Sequence, residues 1–523
     1  MREAKELALA RYLIPSEIPR PMPQARIPSA ADLFFIVTAP IKAILGAVKL
    51  TQSDGDLAAH LRMGEVILRT RHLPSHSLAS YTAAMEPMVA HEWLSEVLFA
   101  FLFRAGGLAL IAVFTGIVIG FTHAMVAVFL RRRGVDARWA LLAALISLAL
   151  GASHWLARPH MFTILASALT MFLLESERRS RYLLAIPLFA IWSNLHGGWI
   201  FGLLLIATYV AGDLGEGFLS ADRILWLTRA RENTVIFVAA GAATLLNPYG
   251  LVLHREVISA VTSSTLANNI VEYMSPNFHD FTNYPFLLIL LLCITLLALS
   301  TRRMPIPWLL VTIVTLFFSL RSFRNVSLFS VTAWPLIALH IANGWPADRR
   351  RFPLFNDFAR LDAQSRIGLW SAPVAAFLLI LGLNHGAVAG VRLIQDGFDH
   401  TRFPVTAVEK AKAAAVPGRV FMPWEWGGYL LYAWPGKPIH VDPLKFSETT
   451  MRSYSIIEEL WPGWQDELTK WHVQMVITKP RGALATALSR EPGWGVWYRD
   501  STAVIFQPRN RQRLDTAANF QRP

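Results

Sequence analysis

Charge and cysteine are what this chain has least of. Only 16% of its 523 residues are charged and 54% are hydrophobic, against about 25% charged and about 45–50% apolar in an ordinary soluble domain. With a positive mean hydropathy, that balance excludes an ordinary soluble protein and implies a polytopic membrane protein. The single cysteine, Cys293, lies inside an apolar run, so no intramolecular disulfide forms and the redox compartment leaves no mark. No P-loop or Gly-rich nucleotide fingerprint occurs, which argues against an ATP-driven pump. His-Glu-x-x-His spacing is absent, as is any convincing internal repeat. Acid is the scarcer sign, with 36 Asp and Glu against 49 Lys and Arg for a net charge of +13. The excess does not point to nucleic acid, because the bases come as short Arg clusters between apolar runs, the pattern of cytoplasmic loops.

What is present is a series of apolar runs near the roughly 20 residues that cross a bilayer. About eleven spans are expected, near Leu33 to Val48, Leu108 to Leu130, Trp139 to Trp155, Met161 to Leu174, Tyr182 to Ile191, Ile200 to Tyr209, Val235 to Leu246, Phe286 to Leu299, Trp308 to Leu320, Val326 to Ile341 and Ile367 to Leu383. Residues 1–30 read as a cytoplasmic tail, because Met1 to Arg26 carries five arginines or lysines and no signal-peptide cleavage site. With the N-terminus inside, Arg131 to Arg133, Arg178-Arg179-Ser180-Arg181, Arg223 to Arg231, Arg302-Arg303 and Arg349 to Arg351 all fall on the cytoplasmic side. The polar motifs then gather on the outer face: Asp54 to Glu96, His154 to His160, Asn194 to Trp199, Asn247 to Gly250, Pro276 to Asp280 and Arg321 to Asn325. An odd number of spans sends the C-terminal segment to the same side.

Residues 31–385 are thus expected to be a transmembrane domain with a long first outer loop over 50–107. In that loop, Asp56 and His60 are four residues apart and project from one helical face. The run from Glu92 to Phe103 has helical spacing with Glu92 and Glu96 on its polar side. Two amphipathic helices along the interface are expected. Residues 386–523 change composition and read as a small extracytoplasmic α/β domain with a tail. Its expected strands are Arg419 to Met422, Ile439 to Asp442, Met475 to Thr478 and Ala503 to Phe506, with helices over Ser447 to Trp471 and Ala483 to Arg490. Within it, Pro423-Trp424-Glu425-Trp426-Gly427-Gly428-Tyr429 is a dense aromatic and glycine cluster, suited to a core turn or to ligand contact.

An acidic Asp54-Gly55-Asp56 motif directly after the first span, a long first outer loop, polar outer ends of later spans and a terminal outer domain together resemble the GT-C superfamily of integral membrane glycosyltransferases. That superfamily includes the protein O-mannosyltransferases, aminoarabinose transferases and oligosaccharyltransferase catalytic subunits. The run Asp56 to Gly64 with His91-Glu92-Trp93 looks like a bacterial branch of it, which implies a multi-pass inner-membrane protein. The resemblance implies a polyprenyl-phosphate or polyprenyl-diphosphate sugar donor and an acceptor glycan, lipid or protein. Asp56 is then the first candidate base, Asp54 the second, with Glu92 beside them. Arg321, Arg324 and Arg158 are candidates for the departing phosphate, against interface snorkelling. His60, His91, His160, Asn194, His196, Trp424, Glu425 and Tyr429 are candidate substrate contacts. Histidines on the same side, His279 among them, make a divalent ion (Mg, Mn or Zn) a candidate cofactor, with Asp56 and His60 its first ligands. The cluster from Trp424 matches the Trp-Trp-Asp-Tyr-Gly sequon-binding motif only at Trp424 and Gly428. A transporter or flippase, and a non-catalytic member of an envelope assembly, are the alternatives.

Overall fold

The computed structural model describes residues 27–176, 181–263, 271–300, 302–344, 361–362, 365–445 and 447–509. The N-terminal tail to Arg26, Arg178 to Ser180, Arg349 to Arg351 and the tail from 510 lie outside the described residues. The chain forms two compact units, Met1–Gly46 with Ala112–Gly382, and Ala47–Ile111 with Leu383–Pro523.

The first unit is helical. Among the described residues, three helices are long and apolar enough to cross a membrane: Trp93–Arg132, Trp199–Leu219 and the stretch Phe281–Ala298. A fourth arises if Phe323–Val331 and Ala333–Gly344, bent by 46°, form one span. Other expected spans are shorter apolar helices, such as Ala137–Gly151, His160–Leu174 and Ile306–Arg321. Fifteen residues rise about 22 Å, short of the roughly 30 Å hydrocarbon core, so such helices need flanking turns to cross. The chain is a multi-pass membrane protein, and its expected eleven spans become this mixture of long and short helices.

Small residues set the tightest approaches. A Cβ on Gly116 or Gly120 would stand 2.9 Å or less from atoms of Ala39 or Ala43, at 2.8 Å from Ala43 N in the Gly116 case. This Gly-x-x-x-Gly face lets the helix backbone lie against Ala30–Pro40. Asp32, wholly buried, closes the capping box of Ala30–Pro40 with Ser29. Its Oδ1 also accepts bonds from Gly368 N at 3.0 Å and Ser371 N at 3.0 Å, capping the helix Ser371–Leu383 as well.

The arginine-rich stretch Arg223 to Arg231, expected in an inner loop, is the first half of the helix Arg223–Ala243. Buried acids account for the difference. Arg229 lies 3.5 Å from Asp213 and 3.9 Å from Glu175. Glu175 also receives Arg133 at 2.8 Å, Tyr209 Oη at 3.0 Å and Trp308 Nε1 at 2.9 Å. Glu216 accepts from Ile306 N at 2.8 Å and pairs with Arg303. Three buried carboxylates, two on Trp199–Leu219 and one at the end of His160–Leu174, thus bind these basic residues into packed structure, because a buried charge persists only when paired.

The second unit joins the stretch Ala47–Ile111 to the C-terminal segment Leu383–Pro523. Its four-stranded sheet runs Arg419–Phe421, Val473–Thr478, Val504–Pro508, Trp494–Arg499, with the first pair parallel and the others antiparallel. The strand Trp494–Arg499 was not expected. Ile439 to Asp442, expected as a strand, makes only isolated bridges, but these extend the edge: Ile439 pairs with Val420 and with Ser80. Tyr81 N donates to Ile439 O at 3.1 Å and Ile439 N to Ala79 O at 3.0 Å. The expected helix Ser447 to Trp471 is two helices, Glu448–Glu458 and Trp464–Lys470. Leu460 at φ +57° and Gly463 at φ +90° separate them around Pro462, where proline cannot continue the first helix.

Candidate functional site

Asp54 is the N-cap of the helix Gly55–Thr70 and its Oδ1 accepts from Asp56 N at 3.1 Å. Its side chain is therefore turned toward the backbone it caps. Asp56, half-buried, stands in the first turn of the same helix. The two carboxylates that spacing left equivalent thus differ in structure, one capping and one projecting.

Two glycines hold this helix start against the aromatic cluster. A Cβ on Gly428 would lie 2.1 Å from Gly55 O, and one on Gly55 2.4 Å from Glu425 O. The helix Trp424–Ala433 therefore meets Gly55–Thr70 backbone to backbone. Tyr429, expected as a ligand contact, is instead a core ring, 5% exposed and stacked on Phe403 at 5.2 Å. Trp426 is buried and its indole N–H donates to Arg402 O at 2.8 Å. Trp424, half-buried, sits edge-on to Tyr454 at 5.7 Å. Glu425 is exposed and pairs with Lys479 at 2.5 Å.

Beside that pair, burial pushes the Glu458 carboxyl up from 4.5 to about 7, with Glu425 and Glu459 adding repulsion and Lys479 opposing it. Glu458 Oε2 has no hydrogen-bond partner. A raised carboxyl favours its neutral form when folded, so its contribution is full below pH 4.5 and is lost as pH rises to about 7. Glu458→Gln is accordingly expected to raise the unfolding temperature at pH 8 and to change it little at pH 4, as thermal unfolding at the two pH values will read out.

The third feature is a buried acid–imidazole cluster. The helix Trp93–Arg132 crosses Gly55–Thr70 at Gly64, where a Cβ would lie 1.9 Å from Glu96 O. That approach brings His60 Nδ1 to 3.4 Å from Glu96 Oε1 and 3.9 Å from Glu92 Oε2. Glu96, expected on a solvated polar side, is 3% exposed. Burial alone would lower the His60 pKa, but the Glu96 hydrogen bond and the charges of Glu92, Glu96 and Asp56 raise it. Burial raises that of Glu96, against the pull of His60. His91 Nε2 stands 3.7 Å from Glu92 Oε1 at the more open edge. One potential ligand atom each from His60, Glu92 and Glu96 lies within 4.8 Å of the others, so these residues fit a divalent cation, and Asp56 is not part of that group. Beyond the crossing, Gly106 and Gly107 break the helix, and Asp396 Oδ1 accepts from Leu108 N at 2.7 Å where it resumes.

The helical unit gathers a cationic cluster at its span ends. The His154 and His160 rings lie with centroids 4.0 Å apart, tilted by 37°, and His160 Nε2 donates to His154 O at 2.7 Å. The charges of Arg158 and Arg324 both bear on this pair, and His196 bears on His154. Arg158 reaches Glu272 at 3.4 Å, and the Arg324 guanidinium lies over the Tyr273 ring at 4.6 Å. Arg321, expected with them, is exposed at the end of Ile306–Arg321. His196 Nδ1 accepts from Gly198 N at 2.9 Å and meets Thr163 Oγ1 at 2.8 Å, so a neutral ring carries its proton on Nε2. A Cβ on Gly198 would lie 2.3 Å from Thr163 Oγ1, so this glycine serves packing rather than ligand approach. Asn194 donates to Leu246 O at 2.9 Å and ties two helix ends together, a structural role. His279 is exposed in its loop. Glu272 and Tyr273, adjacent in one short turn, and Thr163, in the helix His160–Leu174, carried no sequence signal, since the two segments lie far apart in the chain.

Neither a family model nor a curated protein matches the sequence. Solved structures do match in shape. The chain superposes on the Archaeoglobus fulgidus oligosaccharyltransferase AglB in complex with an inhibitory peptide and a dolichol-phosphate, at TM-score 0.51 and 12% identity, over 91% of this chain and 73% of that one. It superposes on the oligosaccharyltransferase of the same organism tethered to an acceptor peptide with the NVT sequon, at TM-score 0.53 and 14% identity, over 92% of this chain and 74% of that one. A likeness this broad at such low identity is a likeness of fold, and the chain has the fold of these archaeal oligosaccharyltransferases.

Proposed function

We propose that this protein is a GT-C type glycosyltransferase that moves a sugar from a polyprenyl-phosphate or polyprenyl-diphosphate donor to a glycan, lipid or protein acceptor on the outer face of a bacterial inner membrane. An acceptor hydroxyl or amine attacks the anomeric carbon, and the bond from that carbon to the lipid phosphate oxygen breaks with its electron pair leaving on the phosphate. Asp56 takes the acceptor proton. Arg158 and Arg324 stabilise the departing phosphate. Asp54 sets the start of the helix that presents Asp56. The observation that carries the assignment is that Arg158 and Arg324 meet two adjacent residues of one short turn, Arg158 at Glu272 and Arg324 over the Tyr273 ring, which sets two guanidinium groups beside each other for a leaving phosphate. The dolichol-phosphate bound by an archaeal protein of the same fold supports a lipid phosphate as the ligand.

The arginines are separable by experiment. A charge-assisted hydrogen bond is worth about 1.5–3 kcal/mol, so Arg324→Ala and Arg158→Ala should each weaken donor binding about 10- to 100-fold. Arg321→Ala, at an exposed side chain, should change it less than threefold. Titration of the purified protein with a fluorescent polyprenyl phosphate checks the set. Equal loss in all three would remove the assignment to Arg158 and Arg324.

A further inference from the structure

We propose that His60, Glu92 and Glu96 form a binding site for one divalent cation of the zinc or manganese class, which fastens the helix Gly55–Thr70 to the start of the helix Trp93–Arg132.

Three observations converge on it. The first is spacing. Zinc bonds to nitrogen and carboxylate oxygen of about 2.0–2.2 Å place tetrahedral ligand atoms roughly 3.4 Å apart. His60 Nδ1 lies 3.4 Å from Glu96 Oε1 and 3.9 Å from Glu92 Oε2, and one ligand atom from each of the three falls within 4.8 Å of the others. The second is an unsatisfied oxygen. Glu96 is 3% exposed, yet its Oε2 has no hydrogen-bond partner, and a buried carboxylate oxygen left so is costly unless something positive meets it. The third is charge. A dication with a neutral imidazole balances the Glu92 and Glu96 carboxylates together, with His91 3.7 Å from Glu92 at the more open edge. A mixed set of one nitrogen and two oxygens suits zinc or manganese better than magnesium, which keeps oxygen ligands and water. Three protein ligands leave a fourth position for water.

The test reads metal and stability rather than turnover, so failure of the site and failure of the proposed transfer reaction are distinguishable. The full-length protein, purified in detergent and stripped with chelator, is titrated with zinc and with manganese chloride while bound metal and unfolding temperature are recorded. The wild type is expected to take up one equivalent and to unfold at a higher temperature once loaded. Glu96→Gln should bind at least tenfold more weakly and lose the metal-dependent rise. Glu92→Gln, at the more exposed edge with a side chain 14% exposed, guards against misfolding of the first variant and should show the same loss. Uptake by the wild type no greater than by both variants, or no rise in unfolding temperature with either metal, would overturn the site and leave an ordinary ion pair held by a proton.

Discussion

Asp56→Asn is expected to cut sugar transfer by about 10²- to 10⁴-fold, the usual worth of a positioned proton acceptor, while the protein folds as before. The substitution keeps the size of the side chain and the backbone N–H that Asp54 accepts at 3.1 Å. Only the ability to take a proton is lost. Asp54→Asn is the matched contrast. Asn caps helices about as well as Asp, so at a position whose Oδ1 is engaged in capping the effect on turnover should stay within a few-fold. Initial rates of both variants, with thermal unfolding as the check on folding, separate the two carboxylates. A larger loss at Asp54 would reverse the assignment.

The second large effect is structural. Gly64→Ala would set a methyl group 1.9 Å from Glu96 O and 2.9 Å from Ala100 Cβ, and no rotamer change relieves a clash with backbone. Overpacking of this kind costs about 1–3 kcal/mol or more. The helices must separate, which also moves Glu96 away from His60, so the loss of stability and the loss of cation binding should appear together. Gly241→Ala is the control. It too sits inside a helix, Arg223–Ala243, but nothing stands within 4 Å of the new methyl group, and alanine is the better helix former by about 1 kcal/mol. Thermal unfolding of the pair should show a marked drop for the first and none for the second.

The difference between these glycines shows where sequence reading stopped. Periodicity carried the local structure well: Asp56 and His60 do lie on one helix, Gly55–Thr70, and strands were expected near Arg419–Phe421, Val473–Thr478 and Val504–Pro508 where they occur. Pro462-Gly463 is a turn signal inside the stretch Ser447 to Trp471 that was expected as one helix. Tertiary crossings were not legible. Nothing local to Glu96 says that Gly64, thirty-two positions earlier, lets its helix touch another, and so a buried partner of His60 read as a solvated residue. The arginines from Arg223 to Arg231 looked like loop charge because the acids that meet Arg229, Asp213 in Trp199–Leu219 and Glu175 at the end of His160–Leu174, stand in apolar stretches with nothing local to mark them as its partners. The strand Trp494–Arg499 follows Pro492-Gly493 and is partly exposed along its length, so its pattern has no clean alternation. Its place at the sheet edge depends on pairing with Val504–Pro508. The capping role of Asp54 and the exposure of Arg321 required three dimensions.

The central claim is that the chain consumes a lipid-linked sugar. The most direct measurement is release of lipid phosphate by the purified full-length protein in nanodiscs, supplied with a panel of radiolabelled polyprenyl-phosphate and polyprenyl-diphosphate sugars, with and without a membrane extract as acceptor source. Release with at least one donor, stimulated by acceptor and lost in Asp56→Asn, is expected. No release from any donor, or release undiminished in Asp56→Asn, would contradict the assignment.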